Sequence, residues 1–97
     1  MTLLARHYFI SGKVQQVYFR QSTLAEAEKI GITGWVRNLP DGRVEAIAYG
    51  QQSALEKFEA WLNVGPKMAR VDNVSHRPVD ACDVPVSFTL HSTPVAA

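Results

Sequence analysis

A two-layer α+β sandwich is the fold class that the sequence predicts, with two helices packed on one face of a mostly antiparallel sheet. Three observations point to it. Segments with strand-like alternation of apolar and polar residues are interleaved with two segments of helical apolar spacing. A Pro40-Asp41-Gly42 turn joins the second and third strand-like segments directly. The resulting order is β-α-β-β-α-β, with one more short strand at the C-terminal end.

The first strand is predicted over Arg6–Ser11, with Tyr8 and Ile10 on one face, His7 and Phe9 on the other, and Gly12 ending it. Residues 12–19 connect it to a helix that starts at Gln21 or Ser22 and runs to Ile30. Thr23 and Glu26 have capping-box spacing, Gly31 suits the position past the helix, and Leu24, Ala27 and Ile30 share a face. Thr33–Leu39 and Arg43–Gly50 read as a hairpin about the Pro-Asp-Gly turn. The second helix begins at a capping box of Ser53 and Glu56, carries Leu55, Phe58, Trp61 and Leu62 as a core-facing stripe, and is stopped by Gly65-Pro66. A strand over Val71–Val79 follows, then a loop around Asp80–Pro85 and a short strand over Ser87–Leu90. This is the split β-α-β, or ferredoxin-like, arrangement. A strand-helix-strand crossover makes the first two strands parallel, and the hairpin returns the third strand between them. The loop after the first strand and the Arg37-Asn38 end of the second strand are therefore expected at one edge of the sheet.

Length and composition bound the rest. With 97 residues, 46% hydrophobic and 20% charged, the chain is expected to form one domain over 1–97. A single cysteine, Cys82, excludes an internal disulfide. Arg6 and His7 interrupt the apolar stretch that a signal peptide needs, and no run approaches a membrane span, so a cytoplasmic protein is expected. Ten Lys plus Arg against nine Asp plus Glu give a net charge of +1, too balanced to mark a nucleic-acid surface. The first 25 residues nevertheless hold Arg6, Lys13 and Arg20 and no acid.

A loop entering a helix offers unpaired amide N–H groups and the positive end of the helix dipole, a natural place for a small anion. Arg20 stands at that junction, where its planar fork can reach phosphate oxygens. Other chemistries lack their residues. The P-loop pattern fails at Val17, a Cys-based phosphatase fails at Val14, and His7, His76 and His91 lack metal-ligand spacing. No metal and no cofactor are expected.

Two segments carry a family resemblance. GKVQQVYFR, Gly12–Arg20, resembles the acylphosphatase signature G-x-V-Q-G-V-x-[FY]-R, and GWVRNLPDGRVE, Gly34–Glu45, is similar to that family's second signature, G-[FYW]-V-x-N-x-x-D-G-x-V-E. Their separation and the segment WLNVGPKMARV, Trp61–Val71, agree as well. The resemblance implies metal-free hydrolysis of small acyl phosphates to carboxylate and inorganic phosphate, by direct attack of water. Backbone amides of Gln15, Gln16, Val17, Tyr18, Phe19 and Arg20 would cradle the phosphoryl oxygens. Arg20 would bind the same group, and Asn38 would orient the water. The expected partner is that substrate alone, with no nucleic acid, no membrane and a monomeric chain. Gln16 departs from the family pattern, where Gly is usual. If the position takes positive φ, its side chain costs ~1–2 kcal/mol, and we read the loop as tolerating it with slightly altered geometry. Two other readings stay open: a regulatory anion-binding module with a degraded loop, and an RNA-binding module, for which the third strand offers Tyr49 alone.

Overall fold

The computed structural model describes residues 2–95; Met1, Ala96 and Ala97, which belong to the expected domain, lie outside the described residues. The elements are β1 (Leu4–Lys13), α1 (Phe19–Ile30), β2 (Thr33–Asn38), β3 (Val44–Gly50), α2 (Gln52–Leu62), β4 (Arg70–Val79) and β5 (Phe88–Leu90). They build a five-stranded sheet of order β4-β1-β3-β2-β5, in which every pairing is antiparallel except β2 with β5. The ferredoxin-like arrangement is thus observed. β3 lies between β1 and β2, as the crossover and the hairpin require.

Strand periodicity separates the two faces of the sheet. Tyr8 and Ile10 of β1, Val36 of β2 and Val44, Ala46 and Ala48 of β3 are fully buried. They meet Ala27 of α1 and Leu55, Phe58 and Leu62 of α2 in one core. Each large side chain so buried stabilises the fold by ~1.5–3 kcal/mol. Trp61, expected in the core, packs against it while only partly buried. Arg6 of β1 ties the same layer together by donating to Glu59 of α2 at 3.2 Å.

Element ends differ from the sequence reading where long-range packing outweighs local signals. β1 runs on to Lys13 because β4 pairs with it as far as Lys13↔Arg70. Gly12 therefore does not end the strand. It sits at a bulge (φ 125°) where an added Cβ would strike the Arg70 carbonyl oxygen. β2 closes at Asn38 and β3 opens at Val44, each one residue short of expectation. α1 starts at Phe19, ahead of the expected Gln21 or Ser22, since burying Phe19 draws the chain into the helix early. Neither predicted capping box caps. Thr23 is a full turn inside α1, buried, with its hydroxyl donating to the Phe19 carbonyl at 2.7 Å. The N-cap of α2 is Gln51, which makes no side-chain capping bond, because the chain turns straight from β3 into the helix. Gly31 does take the left-handed position past α1, its N–H donating to the Ala27 carbonyl at 2.9 Å. Among the described residues no helix is long and apolar enough to cross a membrane, and Cys82 is exposed and free.

Candidate functional site

The chain between β1 and α1 alternates anchors with outward residues. Val14, Val17 and Phe19 are buried in the core, while Gln16 and Tyr18 are exposed. Pinning every second or third side chain leaves the backbone between them to fold tightly, and Gln16 (φ 62°) and Tyr18 (φ 61°) both adopt the left-handed region. Gln16 therefore does hold the positive φ that glycine accepts without cost. Tyr18 is the N-cap of α1 and supplies no side-chain cap, and no acidic residue lies in the first helical turn. Among the described residues, no backbone or side-chain acceptor takes the N–H groups of Gln15 to Arg20. Successive free amides at the positive end of a helix form a concavity suited to an anion.

This segment lines a cavity of about 250 Å³ together with Asn38. Val14, Gln16, Tyr18, Phe19, Arg20 and Gln21 form its other walls. Arg20 lies within the first turn of α1 rather than ahead of it, and its guanidinium has no acidic partner among the described residues. Asn38 reaches the cavity because even-numbered residues of β2 face the helices. Its carbonyl oxygen Oδ1 is fully buried and accepts no hydrogen bond among the described residues. An unsatisfied buried acceptor costs ~1–3 kcal/mol, and a catalytic role or a bound water is among the physical reasons for which a protein keeps one.

Of the residues expected at this edge, Arg20, Asn38, Gln16, Tyr18 and Phe19 meet around the cavity. The side chains of Gln15 and Val17 do not line it. Val17 is a core anchor, and Gln15 donates from Nε2 to the carbonyls of Leu39 at 2.8 Å and Arg43 at 2.9 Å. Arg37, expected beside Asn38, points to the opposite face, since neighbours on a strand alternate sides. The sequence reading missed Gln21 and Val14 as lining residues; the first-turn position of Gln21, next to Arg20, is the signal that finds it.

On that opposite face Arg37 Nε donates to Glu45 Oε1 at 2.6 Å, and His7 Nε2 lies 2.6 Å from Glu45 Oε2. Burial works to raise the Glu45 carboxyl, but the hydrogen bonds from Arg37 and His7 outweigh it and hold the group below its ordinary value of 4.5. A depressed folded-state value means that the unfolded chain binds more protons between the two values. The contribution of Glu45 is therefore complete above pH 4.5 and fades as the pH falls through the lower folded value. Urea midpoints measured across this acidic range are expected to drop for the wild type, and Glu45→Gln is expected to flatten that dependence. An unchanged slope in Glu45→Gln would count against the assignment. His91 stacks on Trp35, with centroids 5.1 Å apart, and among the described residues no group of three or more His, Cys, Asp or Glu is placed to hold a metal ion.

Comparison with known proteins adds an independent line. A family model described as Acylphosphatase matches residues 6–89. A curated acylphosphatase of Marinobacter nauticus is 48% identical over 81 residues, covering 84% of this chain and 88% of that protein. The solved acylphosphatase of Coxiella burnetii superposes with a TM-score of 0.88 at 37% identity, covering 92% of this chain and 93% of that one. The crystal structure of the Bacillus subtilis acylphosphatase gives 0.87 at 32% identity, covering 91% and 98%. With nearly the whole sheet and both helices inside these matches, the chain belongs to the acylphosphatase family.

Proposed function

We propose that this chain hydrolyses small acyl phosphates to a carboxylate and inorganic phosphate, with its chemistry in the cavity between the 14–20 loop and the end of β2. One observation carries the reading: Asn38, whose buried side-chain carbonyl oxygen has no hydrogen-bond partner among the described residues, lines the same cavity as Arg20. An acyl phosphate already has a good leaving group, so the protein's task is positioning and charge stabilisation. The amides of Gln15 to Arg20 and the Arg20 guanidinium receive the phosphoryl oxygens. Asn38 Oδ1 accepts a hydrogen bond from a water and aims its oxygen at phosphorus. That oxygen bonds to phosphorus as the bond from phosphorus to the carboxylate oxygen breaks. The carboxylate leaves with the bonding pair, and the water's proton passes to the phosphate. A neutral amide serves here because a carboxylate would repel the substrate dianion.

We further propose that the reaction needs no metal or cofactor, and that the chain acts as a single-domain monomer in the cytoplasm without a nucleic-acid partner. The open sheet face supports the last point. Arg37 lies 4.8 Å above the Trp35 ring and Arg43 lies 4.7 Å above Phe9, so cations occupy ring faces on which bases would stack. The direct test is turnover of benzoyl phosphate in metal-free buffer with chelator. Full activity is expected. No turnover would sink the hydrolase reading, and loss on chelation with recovery on adding a divalent cation would sink the metal-free one.

The left-handed Gln16 favours a second reading, a binding module whose loop has lost catalysis. Gln16→Gly separates the two. Relief of ~1–2 kcal/mol of backbone strain is offset in part by the ~0.5–1 kcal/mol conformational cost of glycine, so a slightly higher melting temperature is expected, with little change in turnover. A rise of ~100-fold or more from a near-inactive parent, the scale of a restored charge-stabilising group, would favour the binding module.

A further inference from the structure

We propose that the Gln15 side chain is a positioning residue that sets the spacing between the phosphate-cradling loop and Asn38; the proposal rests on the hydrolase reading above. Gln15 leaves the loop toward the β2–β3 hairpin, 24 residues away in sequence at its nearer partner. Its amide nitrogen has two hydrogens, and both are used, on the Leu39 carbonyl at 2.8 Å and the Arg43 carbonyl at 2.9 Å. These two carbonyls flank the base of the turn. Leu39 follows Asn38 directly, and Arg43 precedes Val44, the residue opposite Asn38 in the sheet. The Arg43 oxygen also accepts the Leu39 N–H at 2.8 Å, so Gln15 is built into the first closing bond of the hairpin.

Among the described residues, no other side chain between 14 and 20 makes a hydrogen bond to the hairpin. The cradle amides belong to the loop, whereas the water-orienting amide of Asn38 belongs to the hairpin. In-line attack needs the two in a fixed relation, and an ~1 Å misplacement costs on the order of 100-fold in rate. Packing of Val14 and Val17 seats the loop in the core that also holds Val44, but a directional hydrogen-bonded tie from the loop to the residues beside Asn38 is a separate matter. Gln15 supplies it. Its fork is a strut of fixed length, and its donors stay out of the cavity, so its contribution falls on alignment and leaves phosphate binding to the amides and Arg20.

The test compares kcat for benzoyl phosphate with the inhibition constant for inorganic phosphate in the wild type, Gln15→Ala and Gln15→Glu. The glutamate keeps the length but sets an acceptor against two carbonyl oxygens. Both variants are expected to lose ~10-fold to 100-fold in kcat while phosphate inhibition stays near the wild-type value. Gln15→Asn, one methylene short, serves where alanine prevents folding, and is expected to show the same split. Wild-type kcat in a folded variant would overturn the proposal, as would kcat and phosphate inhibition falling in parallel, which is the signature of a collapsed cradle. A wild-type chain without turnover would overturn the hydrolase reading and the proposal with it; an active wild type matched by its variants would overturn the proposal alone.

Discussion

Asn38→Ala is expected to lower kcat for benzoyl phosphate by ~100-fold or more, since a misplaced reactant typically costs that much, while phosphate inhibition stays close to wild type. The expectation follows from the division of labour in the cavity. Asn38 belongs to β2, a different element from the loop amides and Arg20 that share its cavity, and contributes one buried acceptor atom. Removing it takes away the group that orients water but none of the groups that hold phosphate. The fold itself is expected to gain. An orphaned buried carbonyl costs ~1–3 kcal/mol, and alanine removes that cost, so the melting temperature of the unliganded variant is expected to rise slightly. Activity lost with stability retained or raised is the mark of a residue kept for function. Unchanged turnover in Asn38→Ala would remove Asn38 from the mechanism.

Arg20→Ala is expected to lose both phosphate binding and rate, with kcat/KM down by ~100-fold or more, the typical loss on removing a preorganised charge-stabilising donor. Arg20 lies in the first turn of α1, where a positive charge is unfavourable next to the positive end of the helix dipole. Among the described residues it has no acidic partner to offset this. Its placement therefore opposes local stability and favours an anion. Thermal unfolding with and without phosphate reads this directly. The wild type is expected to melt higher in phosphate through preferential binding to the native state, and Arg20→Ala is expected to lose that shift while melting no lower in its absence. Arg20→Lys keeps the charge but loses the planar fork, so partial recovery is expected. Wild-type inhibition by phosphate in Arg20→Ala would rule out its role.

Much of the architecture was legible because its signals are local. Alternation in Tyr8–Ile10 and in Val44–Ala48 reports which side of a strand is apolar, and the stripe of Leu55, Phe58 and Leu62 reports a helix face. All of these are buried as expected. Helix starts were less legible. Thr23 and Ser53 have good capping chemistry, yet packing of Phe19 and the short passage from β3 into α2 placed them inside their helices. A cap is worth ~1 kcal/mol, less than burying an aromatic ring.

By itself the sequence determined the order of elements and the two segments that meet at one sheet edge, which depend on periodicity and turn residues. Its resemblance to the acylphosphatase signatures made Arg20 and Asn38 candidates. All of these belong to the chain before it folds. Only the tertiary structure decided that Arg37 turns away to Glu45 while Asn38 turns in, that Gln16 takes the left-handed conformation, and that Gln15 spans to the hairpin. Strand register and core packing select these outcomes, and both are set by residues tens of positions away in the chain.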